Sequence, residues 1–265
     1  MPGLDEFSLD GKVAIVTGSG QGIGKGIALA LARAGADVAV AGITLADRSR
    51  DLADLDATVS AIKALERRSI AIPTDARSAD DVKTLIDQTI AEFGRLDVMV
   101  NNAGGGFAAH FMDINERGFE AIVRNNLKST YLCCQAAGRV MLESGSGAII
   151  NLASGAGMGP SPTQPVYGAT KAGIINLTES LAVEFGPTVR VNAIAPGLTA
   201  TEGLRARYDD DADAEIRRQG ERYVAGRLAT PEDMGLAAVF LASDAAQYVS
   251  GITLRVDGGG RAMEE

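Results

Sequence analysis

Two periodicities alternate along the chain. Val13-Ala14-Ile15-Val16 is a short continuous apolar run that ends at Thr17-Gly18, in a glycine-rich stretch. Beyond it Ile23, Ile27, Ala30, Leu31 and Ala34 fall close to a 3.6-residue period, until Gly35 interrupts them. That pattern predicts a strand, a glycine turn and a helix over 23–34. The same alternation then recurs. Further strands are predicted at 38–41, 70–72, 98–101, 148–152, 189–194 and 252–256, with helices at 57–67, 80–93, 116–143 and 166–185. Strands separated by helices make βαβ units, and nearly continuous apolar strands such as Ala148-Ile149-Ile150 suit burial on both faces. The predicted class is α/β: one doubly wound domain over residues 1–265, with a seven-stranded parallel sheet and helices on both faces. Two polar segments stand apart, 43–56 after the second strand and 198–226 after the sixth. The latter contains Asp209-Asp210-Asp211, read as a solvated face, and segments of its length are usually lids or binding elements.

Composition narrows the chemistry. The 265 residues include 25 Lys plus Arg and 34 Asp plus Glu, a net charge of −9. An acidic chain without a Lys/Arg cluster is a poor nucleic-acid binder, because phosphate contacts dominate that affinity. The single histidine, His110, excludes two-imidazole metal motifs, and no metal site is expected. Cys133 and Cys134 are adjacent, so they build no disulfide framework; they are expected to pack inside a helix and suit a reducing cytoplasm. No apolar run approaches the roughly 18–20 residues that span a bilayer, and residues 1–8 lack the basic and apolar regions of a signal peptide.

Residues 17–24 read TGSGQGIG at a strand-to-helix junction. Backbone N–H groups and the helix dipole face an anion there, and glycines remove the Cβ atoms that would block a pyrophosphate. The spacing is not G-x-G-x-x-G. Nor is it a triphosphate loop: Ser19 stands where that loop needs its first glycine, and Gly26 where it needs Ser or Thr. Farther on, Tyr167 and Lys171 lie four apart at a predicted helix start, so they share a helix face. A nearby ammonium favours phenolate and moves a tyrosine toward use as an acid/base. Ser154 closes the fifth strand, and ligands of open parallel sheets bind at the carboxyl ends of strands.

Taken in order, these features resemble the short-chain dehydrogenase/reductase family over residues 9–260. The motifs are Thr17-Gly18-x3-Gly22-x-Gly24, Asp75, Asn101-Asn102-Ala103-Gly104, Asn126, Ser154, Tyr167-x3-Lys171, Asn192, Pro196-Gly197 with Thr201, and Asp257-Gly258-Gly259. Each is weak singly; the ordered set is specific. The resemblance implies a Rossmann-type fold and NAD(P)-dependent interconversion of a secondary alcohol and a ketone. It implies a tetrad in which Tyr167 exchanges a proton with the substrate oxygen and Ser154 orients that oxygen. Lys171 would lower the tyrosine pKa and hold the nicotinamide ribose. Asn126, favoured by spacing over Asn125, would fix a water linking Lys171 to solvent.

Implied cofactor contacts are Gly18, Ser19, Gln21, Gly22, Ile23 and Gly24 in the glycine loop, Gly42 after the second strand, and Asp75 on the adenine amino group with Ala76 beside it. Asn102, Ala103 and Gly104 would line the adenosine side. Pro196 and Gly197 would follow, with Thr201 on the nicotinamide carboxamide or phosphate; Tyr167 and Lys171 also reach the cofactor. A homotetramer is implied, built through the 116–143 and 166–185 helices and the last strand. Small residues at Ala136, Ala137, Gly138, Ala172 and Gly173 would permit close helix contact.

NADP is favoured over NAD. Gly42 stands where NAD enzymes place an acid on the ribose 2′-OH, and Arg48 and Arg50 in the following insertion could pair with a 2′-phosphate. Gln21 and Ile43 argue the other way, because basic residues there would mark an NADP enzyme. For the substrate, 3-oxoacyl-acyl-carrier-protein reductase is the alternative to a free alcohol or ketone. Leu132 and Val183 stand where that subgroup is expected to carry arginines, and an acidic surface repels an acidic carrier. A non-catalytic nucleotide sensor on the same fold is a second alternative, against which the complete tetrad argues. Met158 could wall a substrate pocket, and His110 is read as a surface loop residue.

Overall fold

The computed structural model describes residues 5–43, 54–208 and 211–260. Arg48, Arg50, Asp209 and Asp210 lie outside those residues. Strands β1 (Val13–Thr17), β2 (Asp37–Gly42), β3 (Ser69–Pro73), β4 (Val98–Asn101), β5 (Gly147–Leu152), β6 (Val189–Pro196) and β7 (Thr253–Val256) form one sheet in the order β3-β2-β1-β4-β5-β6-β7. Every neighbouring pair is parallel, for instance Val16 beside Val40 on one side and Val100 on the other. All five β1 residues are buried, as double-sided coverage requires.

Helices α1 (Gly22–Arg33), α2 (Leu55–Lys63) and α9 (Pro231–Ala242) cover one face. Ile27, Leu31, Ile62 and Leu241 pack there on Val16, Val40 and Val100. Helices α3 (Ala79–Phe93), α5 (Ser129–Ser144) and α6 (Pro165–Phe185) cover the other, where Leu85, Met141 and Phe185 pack on Ile15, Met99 and Ile149. Shorter helices are α4 (Glu116–Val123), α7 (Glu202–Arg205) and α8 (Ala212–Gly220), the last two within the segment 198–226. The order of strand addition reverses between β1 and β4, which opens a crevice at the strand carboxyl ends.

Several elements differ from the sequence reading, among them α7 and α8, which lie in a segment for which no helix was predicted. The helix expected over 57–67 stops at Lys63, because Glu66 takes a left-handed φ of 60° on the way into β3. The helix expected over 116–143 is interrupted by a π turn at Arg124–Lys128. Helix α9 was not foreseen, although Thr230 and Asp233 form a capping box with Pro231 in the first turn. Three of the small residues expected to permit close helix contact have neighbours within the chain, while Ala172 is exposed. Ala137 is fully buried, a Cβ on Gly138 would lie 2.7 Å from the Phe185 ring, and one on Gly173 would lie 3.4 Å from Leu127.

Candidate active site

The crevice begins at the glycine loop. A Cβ on Gly24 would lie 2.2 Å from the Gly18 carbonyl oxygen, so helix α1 can start this close to β1 only with glycine there. Gln21 takes the N-cap position of α1 without a side-chain cap bond, and the first turn holds no acid of its own. Its Oε1 is buried and without a hydrogen-bond partner. A helix start that its own N-cap residue leaves open, beside a loop with glycine at 18, 20, 22 and 24, is a cradle suited to a diphosphate. Ile23 packs its side chain toward the core. The side chains of two expected cofactor contacts bond within the loop's own framework. Ser19 is fully buried, its hydroxyl donating to Val16 O (2.8 Å) and accepting from Ala41 N (3.0 Å), so it pins the loop to β2. Asn102 donates from Nδ2 to Thr17 O (2.8 Å) and Gly18 O (3.1 Å), bracing the loop from behind.

Beyond the loop lies a cleft of about 400 Å³ lined by Gly18, Gly42, Ile43, Asp75, Ala76, Arg77, Ala103, Gly104 and Asn125. That volume falls within the usual range for ligand sites. The Asp75 carboxylate accepts from Arg77 Nε (2.7 Å) and Nη2 (2.8 Å), and this pairing holds it below the usual carboxylate range. Arg77 also donates to Asn125 Oδ1 at 3.2 Å, tying the end of β3 to the π turn. Arg77 was missed in the sequence; its position two residues after Asp75 was the available signal. Gly42 leaves the end of β2 open, with the nearest atom to an added Cβ at 3.5 Å on Leu55. Among the described residues, the acids nearest in sequence serve elsewhere: Asp37 accepts from Arg68 N, and Asp54 caps α2.

The π turn sets the third wall. Its extra residue frees backbone carbonyls, and side chains take them up: Asn126 Nδ2 donates to Ile122 O, and Ser129 Oγ to Asn125 O and Asn126 O. Asn126, fully buried, also donates to Gly105 O (2.8 Å) and accepts from Gly105 N (3.1 Å). Its amide therefore moors the loop after β4. Asn125 points into the cleft. The moored loop rides over Tyr167 so closely that a Cβ on Gly106 would lie 2.7 Å from the ring.

Tyr167 and Lys171 lie in the first turns of α6, beside Ser154 at the end of β5. Burial raises the Tyr167 phenol above its ordinary range, and a hydrogen bond with the Ser154 hydroxyl offsets part of that. Lys171 is buried, with its pKa lowered to about 8 by loss of water. Its Nζ donates to Leu152 O at 2.6 Å and stands 5.5 Å from the centre of the tyrosine ring. Desolvation thus moves the two groups in opposite directions, the phenol up and the ammonium down.

Pro196 and Gly197 end β6 beside β7, with Gly197 N donating to Val256 O. Thr201 accepts from Leu204 N as the cap of α7, and its methyl group faces Gly22. His110 is exposed in its loop, and Met158 is 43% exposed at the rim. Cys133 and Cys134 are buried free thiols inside α5. No helix among the described residues is long and apolar enough to cross a membrane.

Residues 18–260 match the family described as enoyl-(acyl carrier protein) reductase. A 2-dehydro-3-deoxy-D-gluconate 5-dehydrogenase from Escherichia coli is 38% identical over 97% of this chain and 98% of its own. A D-threitol dehydrogenase from Mycolicibacterium smegmatis is 37% identical, covering 96% and 94%. The chain belongs to the short-chain dehydrogenase/reductase family. A 3-oxoacyl-(acyl-carrier-protein) reductase from Chlamydia muridarum, 38% identical over 94% and 96%, is also similar to this dehydrogenase/reductase. So is the solved NADPH-dependent 3-quinuclidinone reductase from Rhodotorula rubra, with a TM-score of 0.84, 29% identity, and coverage of 98% and 95%. The chain is accordingly an alcohol/ketone oxidoreductase of the NAD(P)-dependent kind.

Proposed function

We propose that this dehydrogenase/reductase interconverts an uncharged secondary alcohol and its ketone, with NADP favoured over NAD. The observation that carries the substrate reading is the lack of charge on two walls of the site. Residues 102–109 and 154–166 contain no Asp, Glu, Lys or Arg. They offer hydroxyl and amide groups at Ser154, Ser161, Thr163 and Gln164, and apolar surface at Phe107 and Met158. A carboxylate substrate needs a cation partner. The segment 198–226, proposed as the lid, brings seven acids against five arginines; Arg205 is paired with Asp213, and Arg218 with Glu215. Its net charge disfavours an anion as well. Val183 is 84% exposed on α6 and presents no charge to a carrier protein.

A nicotinamide dinucleotide held along the glycine loop and the Asp75 cleft would supply or accept the hydride. Tyr167 is the group that gives its proton to the carbonyl oxygen in reduction and takes one from the hydroxyl in oxidation. Ser154 holds the same oxygen. Lys171 is positioned to follow the phenol with charge once Leu152 O releases it. Asn126 fixes the loop that closes over Tyr167. The NADP reading is supported by the absence of a carboxylate at Gly42.

The test records absorbance at 340 nm with both cofactors. The panel holds neutral secondary alcohols and polyols, a sugar acid, and a carrier-bound 3-oxoacyl thioester. The expected outcome is a kcat/KM at least about tenfold higher for a neutral substrate. A sugar acid or the carrier thioester turning over best would overturn the reading.

A further inference from the structure

The start of α1 carries an anion from elsewhere in the chain. Gly22 N donates to Glu202 Oε2 at 3.0 Å, across 180 residues of sequence. Gly22 is the first residue of α1, whose own N-cap Gln21 makes no cap bond and whose first turn holds no acid. The carboxylate thus meets one of the open donors at the positive end of the helix, where a dinucleotide's diphosphate is expected. Thr201 reinforces the contact, since its methyl group lies 3.3 Å from where a Cβ on Gly22 would sit. The segment bearing Glu202 is anchored on both sides. Leu204 is buried, and Ala200 N donates to Ala229 O at 2.8 Å.

We infer that Glu202 is a latch that sets the enzyme's affinity for dinucleotide: its carboxylate occupies the diphosphate cradle, and binding expels it. A diphosphate and this carboxylate are like charges competing for one helix terminus, so both cannot stay there. Expulsion frees α7 from α1, and Arg205, paired with Asp213, passes that release to α8. Cofactor binding and movement of α7 and α8 are therefore one event. The inference rests on the dinucleotide reading of the crevice.

The test is calorimetric titration of wild type, Glu202→Gln and Glu202→Ala with NADP, with ADP-ribose, which keeps the diphosphate and lacks nicotinamide, and with adenosine, which lacks both. Removing the charge should lower the Kd for NADP and ADP-ribose about fivefold, the scale of one carboxylate at a helix N-terminus. Adenosine should bind all three proteins alike. Hydrogen exchange in the ligand-free proteins should show the Gly22 amide protected in wild type and faster in Glu202→Ala. Equal or weaker dinucleotide binding by both variants would overturn the latch and leave the dinucleotide reading standing. Failure of NADP and ADP-ribose to bind any of the three would overturn both.

Discussion

Lys171→Met should change how stability depends on pH. Burial lowers the ammonium from 10.5 to about 8, with the side chain 4% exposed. Below pH 8 the folded protein carries that charge at a cost. Between 8 and 10.5 the unfolded chain binds the proton and the folded one does not, so stability rises with pH across that window. At 1.36 kcal/mol per pKa unit, the full swing is about 3 kcal/mol. Other groups titrate nearby with the opposite sign. Tyr167 is raised by burial, Cys134 is raised from 9.0 to about 12, and Cys133 is raised further still, also by burial. Each keeps its proton when folded, and so loses stability as pH climbs past the unfolded value. The quantity to measure is therefore the difference between wild type and Lys171→Met, from urea unfolding at intervals between pH 7 and 11. Methionine keeps the apolar stem and does not titrate; the cysteine contributions cancel, and making the comparison in a Tyr167→Phe background removes that of the neighbouring phenol. Wild type should gain on the variant by about 3 kcal/mol between pH 8 and 10.5. A flat difference would show that Lys171 titrates as an ordinary lysine and would refute the reasoning.

Three further outcomes follow from the site and its surroundings. Tyr167→Phe keeps the ring and removes the proton, so turnover should fall at least about 10²-fold while NADP affinity stays within a few-fold; near-normal turnover would remove Tyr167 from proton transfer. Gly42→Asp fits sterically, the nearest atom to its Cβ being 3.5 Å away, and sets a carboxylate beside a 2′-phosphate. It should weaken NADP binding by roughly 1.5–3 kcal/mol, read as cofactor Kd, with NAD far less affected; a loss under threefold would count against the NADP reading. Light scattering should give four times the 27.4 kDa chain mass, and a monomer mass at micromolar concentration would reject the tetramer.

The sheet was legible because doubly buried strands are near-continuous apolar runs, as residues 13–16 and 148–150 are. Helix α9 was not, because its residues are apolar nearly all round and show no 3.6-residue stripe. The local parts of the site, Tyr167 with Lys171 and the glycine loop, could be read from spacing. What spacing could not give was the direction in which an amide points. Ser19 and Asn102 sit within motif positions yet turn inward to hold the loop. Asn126 faces Gly105 because of a π turn that no sequence periodicity announces. Glu202 reaches Gly22 from 180 residues away, a contact visible only once β1 and β6 lie in one sheet.

The π turn at Arg124–Lys128 also bears on how this enzyme can be stabilised. One residue inserted into an α-helix leaves the segments on either side in phase, so deleting one there would restore an unbroken hydrogen-bond ladder from α4 into α5. The healed helix would be the better helix and the worse enzyme. Gly105 would lose the Asn126 amide that moors it, and with it the close cover over Tyr167. Directed evolution for thermostability alone will therefore be drawn to shorten this helix, and variants so gained must be counter-screened for turnover.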